Sequence, residues 1–214
     1  MKTQFGDLDQ FLSDNEKHIQ SIGEDSIAAI LIEIQLGEGG YIPASNIFLT
    51  ELKKIAQAKD ILLIFDEVQT GFVSSGTVWY SEQLNIEPDI IVYGKKSQVS
   101  GIMVKKSHSK VFENQKRLSV TYDGDLVDMI RSKYIINTIN KDQLKKNVIK
   151  QGKKLYKELK KISNIHNVRQ TGLLIAFDFK TTKDRNTFCD TLFLNKMICN
   201  PTGTHSAVSY THLT

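Results

Sequence analysis

The sequence contains little cysteine and no long apolar run. Only two of its 214 residues are cysteines, Cys189 and Cys199, and their spacing matches no metal-binding pattern. No stretch approaches the roughly 18 apolar residues that span a bilayer, and the N-terminus lacks the apolar core of a signal peptide. These absences favour a soluble protein of the reducing cytoplasm with no membrane partner.

The sequence also has only a small excess of positive over negative charge. The formal net charge is +4, and the basic residues concentrate in 141–161. Within and just after that stretch, apolar residues recur at helical spacing: Leu144, Val148, Leu155, Leu159 and Ile162. The lysines therefore lie on the opposite side of an amphipathic helix. Because aromatic residues do not alternate with these lysines, we interpret them as a solvated helix face, with no nucleic-acid partner.

Strand-like and helix-like segments alternate through the first hundred residues. The patterns predict strands at 27–35, 61–68, 89–94 and 101–104, and helices at 7–22 and 44–60, the latter capped by Ser45 or Asn46. A loop near 105–120, two helices across 124–162 and a strand at 173–179 follow. The alternation predicts an α/β fold, with a mostly parallel sheet and covering helices in residues 1–139. The start of a smaller α/β domain is expected in 140–214.

The run "ILLIFDEVQTGF", residues 61–72, places Asp66, Glu67 and Gln69 at the end of a predicted strand. Ligands of parallel α/β sheets bind beyond the carboxyl ends of the strands. One use of such acids is to hold magnesium in a nucleotide hydrolase, but the phosphate loop GxxxxGK[ST] is absent, and "GKKS" at 94–97 lacks its leading glycine. A purely structural use, in which Asp66 caps a helix, stays open.

A lysine follows the next strand along the chain. Lys95 comes 29 residues after Asp66 and directly after the segment "PDIIVYG". Two neighbouring parallel strand ends would therefore present a carboxylate and an amine to the same crevice. This combination suits pyridoxal 5'-phosphate, whose aldehyde forms a Schiff base with a lysine and whose pyridine nitrogen is kept protonated by a carboxylate.

These segments together resemble the class III, fold type I aminotransferases. The similarity covers "IFDEVQTGF", "DIIVYGKKSQVSG", "LGEGG" at 36–40 and "RLSVTYDGDLVDMIRS" at 117–132, in the family's order, from about residue 27 to about residue 203. The run "GKKSQVSG" is most similar to the lysine 6-aminotransferase branch. The resemblance implies a homodimer that transfers the terminal amino group of L-lysine to 2-oxoglutarate with pyridoxal phosphate. 4-Aminobutyrate and ornithine stay open as alternative donors.

The resemblance also implies roles for five residues. Lys95 is the Schiff-base lysine, Asp66 the partner of the pyridine nitrogen, and Gln69 the partner of the ring's phenolic oxygen. Thr121 reaches the phosphate of the neighbouring subunit's cofactor. Glu38 pairs with a substrate-binding arginine and moves aside when 2-oxoglutarate enters. Without the resemblance, the favoured interpretation of Thr121 is a strand hydroxyl, and that of Glu38 is an acid in a loop flanked by glycine.

Lys95 is expected to carry the cofactor in preference to Lys96. Successive side chains of an extended segment point to opposite sides, so only one of the two lysines faces the crevice. The family places its lysine after a small residue, and Gly94 precedes Lys95. In the full-length protein we therefore expect burial and the positive ring of the cofactor to lower the pKa of Lys95 and make it the better nucleophile. Lys96 is expected to point toward protein or solvent and to keep a hydrated ammonium.

The sequence also departs from the family pattern. The family's phosphate loop, stacking aromatic ring and N-terminal substrate arginine have no counterpart, and Asp123 and Asp125 replace Gly and Asn. No arginine follows Arg185, and "AVSYTHLT", residues 207–214, does not continue the family pattern. The chain is therefore expected to be a fragment that binds the cofactor weakly and does not transaminate alone. A noncatalytic interaction module is the alternative from another class.

Overall fold

A computed structural model describes residues 26–113, 121 and 123–209. The helix predicted at 7–22 lies outside these residues. The chain divides into two compact units. Of the described residues, the first unit comprises those up to Ile34 together with those in Ala44–Gln69 and Ser81–Asn137. The second comprises Gln35–Pro43, Thr70–Tyr80 and the described residues from Thr138 onward.

The first unit is built on a four-stranded sheet. Its strands are β1 (Ala29–Glu33), β2 (Leu62–Asp66), β3 (Ile90–Tyr93) and β4 (Gly101–Val104), in that spatial order. β1, β2 and β3 are parallel, and β4 is antiparallel to β3. The helices are α1 (Asn46–Ala58), α2 (Ser81–Leu84) and α3 (Leu126–Lys141), which begins in this unit, and 3-10 turns span Lys95–Ser97 and Lys106–Phe112. The predicted mostly parallel sheet is confirmed.

Helix α1 begins at the predicted cap. The Ser45 side chain accepts a hydrogen bond from the main-chain N of Phe48 at 3.2 Å, which satisfies one of the unpaired donors of the first turn. One face of the helix is buried, through Phe48, Leu49, Leu52 and Ala56. The helix packs on β2, whose Leu63 and Phe65 are also buried. Apolar burial of this kind accounts for most of a helix's stability in a protein.

Asp89 joins the starts of β2 and β3 to the end of β4. Its main-chain N donates to Leu63 O at 2.8 Å, and its carboxylate accepts from Leu63 N at 2.9 Å. On the other side, Lys105 N donates to Asp89 O at 3.0 Å. Burial alone would raise the pKa of Asp89, but the bonds that its carboxylate accepts from Leu63 N and Lys105 Nζ hold that pKa below its ordinary value. Asp89 thus fixes the point from which β3 runs.

The second unit contains a four-stranded antiparallel sheet. Its strands are β5 (His166–Thr171), β6 (Leu174–Asp178), β7 (Asn200–Thr202) and β8 (Ser206–Ser209), in the spatial order β5-β6-β8-β7. Two helices accompany it, α4 (Leu144–Leu159) and α5 (Thr182–Leu194). Leu155 and Leu159 of α4 pack against a core that includes Ile175 and Phe177. The lysines of α4 are exposed, so the predicted amphipathic helix is confirmed.

Helix α4 approaches the turn between β5 and β6 very closely. A Cβ atom added at Gly152 would lie 1.9 Å from the carbonyl oxygen of Gly172. The same carbonyl accepts a hydrogen bond from Gln170 Nε2 at 2.6 Å. Only glycine therefore fits at position 152, and the helix rests directly on the strand turn.

The unit boundaries differ in part from the predicted domains at 1–139 and 140–214. One boundary lies between Asn137 and Thr138, but 35–43 and 70–80 also belong to the second unit. Hydrogen bonds explain the second of these segments, since Leu173 N donates to Ser74 O at 2.9 Å. The roles assigned to the two domains stay a prediction. The strands β5, β7 and β8 and the helix α5 were not predicted.

Candidate functional site

Asp66 is the last residue of β2 and lies in register with Val92 of the parallel strand β3. Its Oδ1 accepts a hydrogen bond from Val68 N at 2.9 Å, the local bond that aspartate makes when it opens a turn. The next helix begins only at Ser81, so Asp66 shapes a turn and does not cap a helix. Among the described residues, Oδ1 is the only atom of this carboxylate in a hydrogen bond. The carboxylate is half-buried at the carboxyl end of the sheet.

Glu67, the second acid of the pair, has a different environment. It is fully buried, and its Oε1 accepts a hydrogen bond from Ser81 N at 2.9 Å. Its own main-chain N donates to Val92 O at 2.9 Å, which extends the pairing of β2 and β3 by one residue. Glu67 thus connects the end of β2 to the start of α2. This role was not assigned from the sequence.

Lys95 meets Gln69 at the end of β3. The Lys95 Nζ donates to Gln69 Oε1 at 2.6 Å. Lys95 has a φ of 55°, a left-handed conformation that costs energy in a residue other than glycine and is frequent at functional sites. Gly94 precedes it, and a Cβ there would lie 2.8 Å from Ser100 Oγ. The structure thus brings Asp66, Gln69 and Lys95 to the ends of two neighbouring strands.

Lys96 departs from expectation. Its Nζ donates to the main-chain O of Gln69 at 2.6 Å. Burial, and then the charge of Lys95, lowers the pKa of Lys96 to about 8, whereas Lys95 itself is exposed. The expected hydrated ammonium at Lys96 is therefore not found, whereas the burial of Lys95 was expected for the full-length protein with its cofactor and stays a prediction. The expectation assumed an extended segment, but the lysines begin a 3-10 turn, and both amines reach the same glutamine.

Glu38 lies in the second unit, in the segment Gln35–Pro43. Its side chain is exposed, and its main-chain O accepts a hydrogen bond from the Thr202 hydroxyl. Thr121 belongs to the first unit and is also exposed. The residues 114–120 and 122 beside it lie outside the described part of the chain, so the motif at 117–132 is described only in part.

The two acids that depart from the family pattern lie before α3. Asp125 Oδ1 accepts from Asp128 N at 3.0 Å, which makes Asp125 the N-cap of that helix. Asp123 and Asp125 also line an open cavity of about 660 Å³ beside Tyr93 and Ser100. Asp125 therefore has a structural reason to be acidic. No helix among the described residues is long and apolar enough to cross a membrane, and the same residues contain no group of three potential metal ligands.

Known proteins are similar to this chain in sequence and in fold. A family model described as aminotransferase class-III matches residues 3–212, which extends beyond both ends of the similarity expected from the motifs. The L-lysine-epsilon aminotransferase of Amycolatopsis lactamdurans is 34% identical over 188 residues, 83% of this chain and 42% of that protein. The acetylornithine aminotransferase of Bacillus cereus is 31% identical over 172 residues, 77% of this chain and 44% of its own.

A solved structure of the lysine aminotransferase from Mycobacterium tuberculosis superposes with a TM-score of 0.87 at 32% sequence identity, covering 95% of this chain and 48% of that one. The ornithine aminotransferase of Plasmodium yoelii gives a TM-score of 0.74 at 26% identity, with 84% and 50% covered. These likenesses confirm the predicted fold type I architecture. The chain spans less than half the length of the curated relatives named above.

Proposed function

The chain belongs to the class-III aminotransferases, and on that premise we propose that it contributes the cofactor-binding lysine of an enzyme that transfers the terminal amino group of L-lysine to 2-oxoglutarate. The observation that carries this proposal is the hydrogen bond of 2.6 Å between Lys95 Nζ and Gln69 Oε1, at the strand ends where Asp66 also lies. The choice of lysine is supported by relatives named L-lysine-epsilon aminotransferase at 34% identity.

The residues at these strand ends fit pyridoxal 5'-phosphate. The cofactor has a pyridine nitrogen, a phenolic oxygen and an aldehyde, and the first unit offers a carboxylate, an amide and an amine. When bound, pyridoxal phosphate supplies an electron sink for the carbanion that transamination requires. Asp66, whose carboxylate accepts one bond from Val68 N, is the residue that would pair with a protonated ring nitrogen. The ionised carboxylate favours that protonated form.

Gln69 and Lys95 would supply the contacts with the phenolic oxygen and the aldehyde of the cofactor. Gln69 Oε1 accepts from Lys95, so the amide Nε2 is the group that would donate to the phenolic oxygen. Lys95 Nζ would hold the cofactor, and once released it would take the proton from the carbon that bears the transferred amino group. Because Lys95 is exposed, its amine is accessible to both the cofactor and the amino donor.

Thr121 and Glu38 complete the proposal by resemblance to the family. The Thr121 hydroxyl would contact the cofactor phosphate of a second subunit, which makes a homodimer part of the proposed active form. The Glu38 carboxylate would pair with an arginine that binds substrate and would move aside for 2-oxoglutarate. Its exposed side chain on a segment held by the main chain suits such a movement. We place the reaction in the cytoplasm.

The test is a comparison of amino donors on the complete gene product, with the 214-residue chain assayed beside it. L-Lysine, L-ornithine, N-acetylornithine and 4-aminobutyrate are each supplied with 2-oxoglutarate, and the glutamate formed is measured. We expect kcat/KM for L-lysine to exceed the others by about tenfold or more. The Lys95→Ala variant is the control and should form no glutamate.

Two outcomes contradict different parts of the proposal. Preference for N-acetylornithine, which the relative from Bacillus cereus makes the main competitor, would refute the lysine assignment and leave the aminotransferase intact. No glutamate from any donor would support the alternative of a noncatalytic module.

A further inference from the structure

An ion pair in the second unit lies against the segment that carries Glu38. Arg169 of β5 and Asp178 of β6 form two parallel hydrogen bonds, Nη1 to Oδ2 at 2.9 Å and Nη2 to Oδ1 at 2.8 Å. Both side chains are largely buried, with 19% and 13% of their surface exposed. Two parallel bonds between a guanidinium and a carboxylate fix the mutual orientation of the groups as well as their distance.

Other contacts hold the carboxylate of this pair. Ser206 Oγ donates to Asp178 Oδ1 at 2.6 Å, and Asn167 Nδ2 donates to Oδ2 at 3.1 Å. Burial alone would raise the pKa of Asp178, but the bonds from Arg169 and Ser206 hold that pKa below its ordinary value. The pairing of β5 with β6 shifts register between His166 and Arg169, so Arg169 follows a bulge. Bulges change the direction in which the following side chains point.

The third side-chain nitrogen of Arg169 reaches the segment Gln35–Pro43, which carries Glu38. Arg169 Nε donates to the main-chain O of Gly40 at 2.9 Å. Gly40 has a φ of 92°, and a Cβ there would lie 3.2 Å from Arg169 Nη2 and 3.4 Å from Ser206 Oγ. The glycine therefore allows both the backbone conformation and the close approach. The Thr202 hydroxyl donates to the main-chain O of Glu38, two residues earlier.

The main chain around Glu38 is thus fixed at two carbonyl groups while its side chain stays exposed. We infer that Arg169 and Asp178 are positioning residues for Glu38: they hold the backbone from which its carboxylate projects, so that the carboxylate moves by side-chain rotation and the segment stays in place. The inference rests on the proposed function for the use made of Glu38. Neither residue of the pair is assigned a contact with substrate or cofactor.

Hydrogen exchange on the 214-residue chain tests the positioning directly. The amides of Leu36 and Gly40 are hydrogen-bonded within the segment, to Ile42 O at 3.0 Å and to Gly37 O at 3.2 Å, so both report on its local opening. In Arg169→Lys, which keeps the charge but loses the planar fork, we expect these amides to exchange about tenfold faster. Amides of β8, such as Ala207, should keep their rates.

Two further variants keep the test decisive. Gly40→Ala keeps both residues of the ion pair and disturbs the close approach from the side of the segment, so it should accelerate the same two amides even where an Arg169 variant folds poorly. Glu158→Gln is the matched control, because it removes an exposed ion pair with Lys161 in the same unit. Unchanged exchange at Leu36 and Gly40 in both Arg169→Lys and Gly40→Ala would refute the inference.

A kinetic measurement on the complete gene product separates positioning from general stability. Arg169→Lys should change the ratio of kcat/KM for the amino donor to kcat/KM for 2-oxoglutarate in the same direction as Glu38→Gln, and Glu158→Gln should leave that ratio unaltered. An unchanged ratio in Arg169→Lys beside a changed one in Glu38→Gln would overturn the inference. An inactive wild-type protein would overturn the proposed function instead, and the exchange rates would still decide whether the pair holds the segment.

Discussion

The side chain of Lys96 binds the main chain of Gln69: Lys96 Nζ donates a hydrogen bond to the carbonyl oxygen of Gln69 at 2.6 Å. Lys95 binds the side-chain oxygen of the same glutamine at 2.6 Å. Two consecutive lysines therefore fix one glutamine at two different atoms. It follows that the position of the Gln69 side chain depends on a lysine that is not expected to touch the cofactor.

The lowered pKa of Lys96 predicts that the protein becomes more stable between pH 8 and 10. Folding lowers this pKa from 10.5 to about 8, so between those values the unfolded chain binds more protons than the folded one. The free energy of unfolding should therefore rise with pH in that window. Urea denaturation at pH 7.5 and 9.5 measures the rise. In Lys96→Met the Lys96 contribution should be lost, and a rise of undiminished size there would contradict the assignment.

Lys95 should carry pyridoxal phosphate when the complete gene product is incubated with the cofactor and reduced with borohydride. Its amine is exposed and directed at Gln69, whereas the Lys96 amine is largely buried against a carbonyl. Peptide mapping should find the pyridoxyl group on Lys95, Lys95→Met should abolish labelling, and Lys96→Met should only weaken it. A label on Lys96 would place the site one residue away from the position argued above.

Asp89→Ala should destabilise the first unit. The substitution leaves Leu63 N without its carboxylate partner and removes the nearer of the two carboxylates that pair with the Lys105 ammonium, and such losses typically cost about 1–3 kcal/mol. The free energy of unfolding at pH 7, from chemical denaturation, measures the effect. Asp128→Ala is the matched control, because its ion pair with Arg131 is exposed and such pairs contribute about 0–1 kcal/mol. Equal losses of unfolding free energy in both variants would argue against a stabilising role of the hydrogen bonds to the Asp89 carboxylate.

Gly152→Ala should destabilise the second unit, although the same substitution inside an exposed helix is usually stabilising by about 1 kcal/mol. The added methyl group would lie 1.9 Å from Gly172 O and 2.7 Å from Gln170 Nε2, so the helix must move away from the strand turn. We expect a loss of about 1–3 kcal/mol, typical of overpacking. Lys153→Ala, at the adjacent exposed position of α4, should have little effect on the thermal midpoint. A stabilised Gly152→Ala variant would show that the close approach is absent in solution.

Sequence patterns predicted the first unit well because its elements carry strong local signals. β2 and β3 are apolar runs bounded by polar residues, and Ser45 stands where a helix cap is needed. The parallel arrangement then brings Asp66 and the residues after β3 to one edge, which is why the cluster of Asp66, Gln69 and Lys95 was foreseeable. Strand β5, "HNVRQT", carries no comparable pattern, since its burial comes from neighbours that are distant in sequence.

The errors concern conformation between regular elements. The alternation of side chains assumed for Lys95 and Lys96 holds only for extended backbone, and the φ of 55° at Lys95 ends it. The contact between Arg169 and Gly40 joins residues 129 positions apart and leaves no local signal. The roles of Thr121 and Glu38 stay predictions, since they depend on groups outside the described residues.

The hydrogen bonds between Asp89 and Leu63 fix the number of residues that can lie between the start of β3 and Lys95. The strand is anchored to Leu63 at its start, and Lys95 follows six residues later. Because Asp89 is held in place, an insertion or deletion between Asp89 and Lys95 would change the positions of Lys95 and Lys96. Removal of one residue would bring Lys96 to the position of Lys95. Loop exchange between relatives in protein engineering should therefore conserve this interval.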